Sequence, residues 1–247
     1  MAFKDPKKRY EIVRGAISKE LANFIFNYLL LHRDATAHLI KYGVIQDKGQ
    51  GNFFGTWKEA LIPNTFSKYG DPVIETVLMK LLPVMRKITQ RNLIPCYGYV
   101  RVYKKGDELV RHFDRESCET SCTLHLGGDP WKIFIDPSGA CGVKKIISES
   151  KVIVKKKPNK GISLVMKPGD MLAYCGQVME HWREPFKGNV HAQTFLHYND
   201  QDGPHGVKNL YDGRAMIGLP KKGLRYDLDK WPFKYSYSQK GPPIQFK

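Results

Sequence analysis

The sequence predicts an α+β protein, built as a β-sandwich or jelly roll with helices packed on one of its sheets. Residues 1–95 carry apolar side chains at helical spacing, whereas residues 96–200 consist of short β-rich runs bounded by Gly, Pro and Asp. Residues 201–247 show little periodicity, and we expect an irregular arm that wraps the core. A length of 247 residues suits one domain with a single core. We therefore expect one domain over 1–247, with a helical support region, a β core and the arm.

Two helix starts are visible in the first region. Ser18 is a suitable N-cap, and the apolar residues after it recur at helical spacing, namely Leu21, Phe24, Ile25, Tyr28 and Leu29. Asp71-Pro72 marks a second start, because proline is favoured in the first turn of a helix. We expect this second helix to bend or break near Pro83, whose ring removes a hydrogen-bond donor.

The β-rich region divides into nine short runs. We expect strands near 97–104, 109–115, 120–126, 131–135, 151–155, 162–166, 171–174, 178–183 and 190–198. So many short strands in so few residues are typical of a β-sandwich or jelly roll, with the helices packed on one sheet.

The composition is that of an ordinary soluble globular protein, with 42% hydrophobic and 26% charged residues. We find no apolar run long enough to span a bilayer, and the N-terminus lacks the apolar core of a signal peptide. A cytoplasmic location without membrane association is therefore expected. The five cysteines form no CxxC pair, which favours reduced thiols over a disulfide framework or a zinc site.

The net charge of +16 raises the question of an anionic partner. Part of the excess lies in 144–160, where lysines alternate with β-branched residues and serines. A solvated hairpin with a lysine-rich outer face accounts for this stretch. A nucleic-acid groove usually interleaves aromatic side chains with the positive charge, and this stretch has none. Nucleic acid therefore has only weak support as a partner.

Two His-x-Asp motifs are candidates for metal ligation, although a composition with 8 histidines and 24 acidic residues yields about 0.8 such matches by chance. His32 and Asp34 follow the first helix, where residues two apart point in different directions. His112 and Asp114 lie in an expected strand, where residues two apart share a face. Geometry therefore favours His112 and Asp114.

A third ligand has to come from a facing strand, and His181 is the best candidate. It follows two short β-rich runs that are joined by the tight turn at Pro168-Gly169-Asp170, a connection that can return across the mouth of a jelly roll. Two histidines and one carboxylate on one face of a metal leave the opposite positions open, which is the arrangement of non-haem iron sites.

Taken together, four motifs resemble the prolyl-4-hydroxylase-like branch of the iron(II)- and 2-oxoglutarate-dependent oxygenases. They are Tyr103-Lys104-Lys105-Gly106, His112-Phe113-Asp114, Pro168-Gly169-Asp170 and His181, and the resemblance covers about residues 96–200. It implies a double-stranded β-helix (jelly roll) core, with Fe(II) bound by His112, Asp114 and His181, and with 2-oxoglutarate and O₂ as cosubstrates.

The resemblance further implies a dioxygenase that hydroxylates an unactivated C–H bond while 2-oxoglutarate is decarboxylated to succinate. A peptidyl or free amino acid, in the manner of a prolyl hydroxylase, is the favoured substrate. A small metabolite or nucleic acid stays open as an alternative substrate. A basic jelly-roll binding module, whose histidines are structural, is the non-catalytic alternative.

The sequence departs from this family at the residue that anchors the far carboxylate of 2-oxoglutarate. The family places Lys or Arg about ten residues beyond the distal histidine, whereas this chain has His191, with Gln193 two residues further. Neither is a bidentate cation. Arg101 shares strand parity with Tyr103, so we expect Arg101 to supply the charge.

Other residues could complete the cosubstrate site. Thr123 and His125 share a face of the next strand, and relatives often carry a cosubstrate-binding Tyr at the position of His125. Arg183 shares parity with His181 and could bind an anion, or could instead pair with Glu180 or Glu184 outside the site.

Alanine substitutions separate the two His-x-Asp motifs. We expect His112→Ala to abolish iron-dependent succinate production while the protein still folds, and His32→Ala to leave turnover close to that of the wild type. Succinate release and circular dichroism of both variants test this. Equal loss of activity in a folded His32→Ala variant would contradict the choice of motif.

Overall fold

The computed structural model describes residues 3–5, 7–138, 143–147, 150–153 and 159–221, with the two short middle segments described as backbone alone. Its helices and strands, in chain order, are β1 (Tyr10–Val13), α1 (Lys19–Lys41), β2 (Phe66–Tyr69), α2 (Pro72–Thr89), β3 (Leu93–Lys104), β4 (Leu109–Phe113), β5 (Thr120–Gly128), β6 (Ile133–Asp136), β7 (Val143–Ile147), β8 (Ser150–Ile153), β9 (Ile162–Leu164), β10 (Met171–Tyr174), β11 (Glu180–Arg183) and β12 (Val190–Asp200).

The described strands form two antiparallel sheets of six strands each. The first sheet has the order β1-β10-β5-β12-β3-β2, and the second has the order β7-β8-β4-β11-β6-β9. Strands that follow each other in the chain alternate between the sheets at several points, as they do in a jelly roll. The predicted α+β jelly roll is therefore confirmed.

Both helices pack on the outer face of the first sheet, as predicted. Ser18 caps α1 by accepting a hydrogen bond from the Leu21 N–H. Asp71 caps α2 and also accepts a hydrogen bond from the Tyr28 hydroxyl, which ties α1 to α2. The core between helices and sheet is built from side chains buried on each, including Ile25, Leu29, Ile74, Leu78, Met85, Val100, Leu124 and Leu196.

A second apolar cluster lies between the two sheets. On β3 the residues of odd number, Tyr97 to Tyr103, face this interior, whereas Val100 and Val102 face the helices. Gly98 lets α2 approach the strand, because a Cβ there would lie 2.8 Å from the Ile74 side chain. The strand therefore presents a row of large polar and aromatic side chains to the inside of the barrel.

Each of the nine predicted stretches contains a strand, although residues 154 and 155 lie outside the described residues. Three strands were not predicted: β1, β2 and β7. All three are edge strands, which pair on one side only and carry a weaker apolar pattern than central strands. In the lysine-rich stretch, β7 and β8 form an antiparallel pair, while its side chains and Cys141 lie outside the described residues.

The predicted interruption near Pro83 is wrong, because α2 continues through this residue as one helix. Its apolar neighbours Leu82 and Met85 are buried in the core between helix and sheet. Burying side chains of this size contributes about 1.5–3 kcal/mol each, which offsets the roughly 3 kcal/mol cost of an internal proline.

The arm after β12 is anchored on α2 through Glu75. This fully buried carboxylate accepts hydrogen bonds from the Gly98 N–H at 2.9 Å and from the Arg214 guanidinium at 2.7 Å. Arg214 also stacks on the Tyr69 ring. The described part of the arm, up to Lys221, contacts α2 and the first sheet through Arg214. No helix in the described parts of the chain has the length and apolar character that a bilayer span requires.

Removing the buried carboxylate should therefore weaken the fold. We expect Glu75→Ala to lower the free energy of unfolding by about 3–5 kcal/mol, because Arg214 would stay buried without its partner. Lys80→Ala, on the exposed face of the same helix, should change it by less than about 0.5 kcal/mol. Urea titration of both variants measures the difference, and equal stability would contradict this role of Glu75.

Candidate metal centre

Three of the predicted site residues meet where β4 pairs with β11. These strands are antiparallel neighbours, and His181 lies directly opposite His112. Asp114 follows β4 by one residue, and its Oδ1 lies 3.6 Å from His112 Nε2 and 3.5 Å from His181 Nε2. The structure therefore brings together one ligand atom from each of the three residues that the sequence analysis selected.

Backbone carbonyls orient both imidazoles. His112 Nδ1 donates to the Val110 carbonyl at 2.8 Å, and His181 Nδ1 donates to the Met179 carbonyl at 3.1 Å. Because a carbonyl can only accept, each Nδ1 carries the proton and each Nε2 keeps a lone pair directed at Asp114. Fixing the tautomer in this way is what outer hydrogen bonds do for metal-ligating histidines.

The charges of the apo site also suit a cation. Burial, and then the neighbouring His181, lower the pKa of His112. Burial alone would raise the pKa of Asp114, but His181 and His112 together hold it well below its usual range. At neutral pH the group therefore offers a neutral imidazole at His112 and an ionised carboxylate at Asp114. These are the protonation states that a divalent transition metal requires.

Gly176 and Ser121 support the carboxylate from the opposite side. Ser121 Oγ lies 3.2 Å from Asp114 Oδ2, and the Asp114 N–H donates to the Gly176 carbonyl. A Cβ at residue 176 would lie 2.6 Å from Asp114 Oδ2, so only glycine leaves room for the carboxylate.

The other His-x-Asp motif lies away from this centre. His32 is in α1, and its Nε2 lies 2.9 Å from the Phe54 carbonyl and 3.2 Å from Lys68 Nζ. Asp34 pairs with the adjacent Arg33. The described structure thus places His32 in a separate polar cluster between α1 and β2, with Asp34 exposed to solvent.

The predicted cosubstrate residues line the barrel interior, but they differ in whether a side chain of opposite charge already contacts them. Arg101 forms an ion pair with buried Glu59 at 3.3 Å and stacks on the rings of Tyr99 and Phe195. Its charge is therefore already balanced by a carboxylate. The Tyr103 hydroxyl lies close to the guanidinium groups of Arg101 and Arg183, which lower its pKa against the rise caused by burial.

His125 and His191 are stacked on each other, with ring centroids 4.5 Å apart. Both nitrogens of His125 lie against backbone carbonyls, of Met166 and Gly127. His191 Nδ1 donates to the Asp129 carbonyl, and burial followed by the nearby Arg183 keeps the pKa of His191 well below its usual range. Burial also lowers the pKa of His125, although its two backbone hydrogen bonds act in the opposite direction, so neither histidine offers a positive charge at neutral pH.

Among the described residues, Arg183 is the largest fully buried side chain, and it points into the barrel from β11. It donates to the Trp131 carbonyl at 2.6 Å and to Gln193 Oε1 at 2.5 Å, while Gln193 itself donates to Thr123. No carboxylate of the described residues forms an ion pair with Arg183, and burial lowers the pKa of Arg183 to about 10. The expected alternative of pairing outside the site is wrong for Glu180, which pairs with Arg111 instead.

A pocket opens over the metal centre, between the aromatic wall of the first sheet and the arm. Its aromatic lining consists of Tyr69, Tyr97, Tyr99 and Phe195. Tyr69 and Tyr97 stack with ring centroids 4.9 Å apart. Asp212 holds one side of the pocket, because it pairs with Arg115 and accepts hydrogen bonds from Ser117 and Tyr69.

Sequence reasoning did not select Cys118 and His197, which line this pocket, or Asp212, which pairs with the pocket residue Arg115. His197 shares strand parity with His191 and Gln193, so the alternation along this strand could have placed His197 in the barrel interior. Cys118 ends a short 3₁₀ turn and Asp212 lies in the arm. In neither segment does a sequence periodicity indicate which way a side chain points. Asp212 also has a left-handed backbone (φ 57°), as does Tyr211 before it.

Comparison with known proteins supports the fold. No family model matches the chain, and no curated protein matches it. Among solved structures, the epimerase SnoN, in complex with Fe³⁺, alpha ketoglutarate and nogalamycin RO, has a TM-score of 0.56 at 13% identity, covering 89% of this chain and 93% of that chain. A prolyl-4-hydroxylase of Pseudomonas putida has a TM-score of 0.51 at 13% identity, covering 77% and 92%. HygX from Streptomyces hygroscopicus, with nickel and 2-oxoglutarate bound, has a TM-score of 0.50 at 12% identity, covering 78% and 84%.

These similarities define the class of fold. The chain shares the fold of these structures over most of its length, so the resemblance predicted from the four motifs is confirmed for the fold. At 12–13% identity, the roles of individual residues have to be argued from the geometry of this chain.

The protonation states of the centre predict how metal affinity depends on pH. We expect binding of Mn²⁺, as a redox-stable probe, to be constant above about pH 7 and to weaken as pH falls through and below the imidazole range near 6.5. Protons then compete for the imidazoles, whereas Asp114 stays ionised because its pKa is held low. Calorimetric titration of wild type and His181→Ala tests this. The variant should show weaker binding with a shallower pH dependence, and identical pH profiles would contradict ligation by His181.

Proposed function

We propose that this protein is an Fe(II)- and 2-oxoglutarate-dependent dioxygenase, with His112, Asp114 and His181 as the metal ligands. The observation that carries the proposal is the convergence of two oriented imidazoles and one ionised carboxylate inside a jelly-roll barrel. This donor set fits a non-haem iron that keeps open positions for a cosubstrate.

We propose Arg183 as the anchor for the far carboxylate of 2-oxoglutarate, in place of Arg101. A buried guanidinium without a carboxylate partner is costly, and an anionic ligand between the sheets would supply the missing charge. Arg183 is on the same strand as His181, two residues further, so both side chains point into the barrel. Arg101 is a weaker candidate because Glu59 already balances its charge.

The surrounding residues would complete this cosubstrate site. Gln193, which donates a hydrogen bond to Thr123, accepts one from the Arg183 guanidinium, and the Tyr103 hydroxyl lies beside that guanidinium. His125 and His191 would contribute a neutral, stacked wall that excludes water. They are thus proposed to shape the site and not to carry its charge.

Bound iron, 2-oxoglutarate and O₂ together supply the oxidation of an unactivated C–H bond, with release of CO₂ and succinate. The chain's own residues hold the metal, orient the cosubstrate and exclude water.

As substrate we propose a peptidyl or free amino acid, seated against the aromatic wall of Tyr69, Tyr97, Tyr99 and Phe195. A small-molecule substrate is the second candidate, since SnoN shares the fold and was solved with nogalamycin RO. We further propose a cytoplasmic location, consistent with the free thiols of the described cysteines.

Anaerobic titration tests the reaction class. The protein with Fe(II) should develop the weak visible charge-transfer band of a metal-chelated 2-oxo acid when 2-oxoglutarate is added. No band at saturating Fe(II) and 2-oxoglutarate would contradict the proposed function, as would a band that persists undiminished in His112→Ala.

The same titration separates the two candidate anchors. We expect Arg183→Met to weaken 2-oxoglutarate binding by at least about 30-fold, equivalent to about 2 kcal/mol, while Fe(II) affinity hardly changes. The apo variant should be as stable as wild type or more so, because a buried charge without a partner has been removed.

Arg101→Met is the matched control, a buried arginine replaced in the same way in the same barrel. It should destabilise the apo protein, because Glu59 would stay buried without its partner, and it should weaken 2-oxoglutarate binding less than Arg183→Met does. If Arg101→Met loses 2-oxoglutarate and Arg183→Met keeps it, Arg101 is the anchor after all.

A further inference from the structure

A second group of metal-binding side chains lies next to the first. Asp114, Cys118 and His197 each offer a ligand atom, and these atoms lie within 4.8 Å of one another. Cys118 and His197 are both buried, yet both line the pocket over the metal centre. The proposed oxygenase chemistry uses Asp114 and assigns no role to the thiol or to this third imidazole.

The Asp114 carboxylate faces both groups. Its Oδ1 is directed at the Nε2 atoms of His112 and His181, whereas its Oδ2 lies 3.2 Å from Ser121 Oγ. That hydroxyl oxygen is in turn 2.9 Å from His197 Nδ1. The second oxygen of the carboxylate therefore lies on the side of the triad where Ser121 and His197 are, so a cation held by Asp114 and His197 would compete with iron for Asp114.

His197 is held in an orientation suited to ligation. Its Nδ1 is engaged by Ser121, and its Nε2 has no hydrogen-bond partner within the described residues. Its ring packs on Tyr97, with ring centroids 4.4 Å apart, which fixes the plane of the imidazole. A histidine with one nitrogen held by a hydrogen bond and the other left open to a pocket is typical of metal ligands.

Cys118 determines which cations this group would prefer. Its Sγ contacts the Tyr97 hydroxyl at 3.1 Å, so the thiol is directed into the pocket. Thiolate, imidazole and carboxylate together suit Zn²⁺ and other thiophilic divalent ions, and the thiol proton would pass to solvent on binding. The iron triad contains no sulfur, so it lacks the ligand that favours a thiophilic ion.

We propose that Asp114, Cys118 and His197 form a second metal site, selective for a thiophilic divalent cation such as Zn²⁺. Because both sites use Asp114, occupancy of the second site opposes the binding of iron at the first. Zinc has no redox chemistry and cannot replace the iron whose binding it opposes, so it inhibits turnover. This antagonism rests on the proposed function, whereas the site itself depends only on the three side chains.

Cobalt is a suitable probe, because Co²⁺ bound to a thiolate gives a near-ultraviolet charge-transfer band that needs neither 2-oxoglutarate nor O₂. Wild type should show this band, and Cys118→Ser should lose it while still binding Co²⁺ at the triad. His197→Gln should weaken Co²⁺ binding at the second site at least tenfold and provides a second test if Cys118→Ser folds poorly. Cys96→Ser is the matched control, since that buried thiol bonds Asn199 and lies outside the group, and it should keep the band.

Absence of the band in wild type at saturating Co²⁺, or its persistence in Cys118→Ser, would overturn the second site. Failure of the proposed function is a separate observation, namely the missing Fe(II)–2-oxoglutarate band. For the antagonism, the Zn²⁺ concentration that halves succinate production at fixed Fe(II) should rise at least tenfold in Cys118→Ser. Equal zinc sensitivity of wild type and Cys118→Ser would overturn the antagonism.

Discussion

The antiparallel pairing of β4 with β11 is the constraint on which the candidate site depends. Because His181 lies opposite His112 in this register, a slip of β11 by one residue would turn the His181 imidazole out of the barrel, away from His112. The same pairing sets Arg183 inside, two residues beyond His181. The first sheet supplies Ser121, Thr123 and Gln193 from the facing wall. The two sheets therefore enclose a polar interior, whereas the interior of a small jelly roll is usually filled with apolar side chains.

Charge balance distinguishes the structural parts of this interior from the functional parts. Most buried cations of the described chain have a carboxylate partner, and the clearest pairs are Arg101 with Glu59, Lys68 with Asp71, and Arg214 with Glu75. Each of them fixes a loop, cap or arm against the sheet. Arg183 differs because its partners are neutral oxygens, of Trp131 and Gln193. A charge left in this state is expected where a ligand completes the balance.

Sequence reasoning predicted the part of the site that depends on period-two alternation. It selected His112 and Asp114 over His32 and Asp34, and it placed Arg101 and Tyr103 on one face of a strand. It favoured Arg101 as the anchor of 2-oxoglutarate without the pairing of Arg101 with Glu59, because that pairing joins residues far apart in the chain. Strand parity identifies which side chains face the interior, but tertiary pairing decides which of them keep an unbalanced charge.

The most direct test of the account is an anaerobic crystal structure of the protein with Fe(II) and 2-oxoglutarate. We expect a metal bound by His112, Asp114 and His181, with the far carboxylate of 2-oxoglutarate paired to the Arg183 guanidinium. A metal held by other residues would contradict the proposed centre. A carboxylate bound by Arg101, with Arg183 still joined to Trp131 and Gln193, would contradict the charge-balance argument.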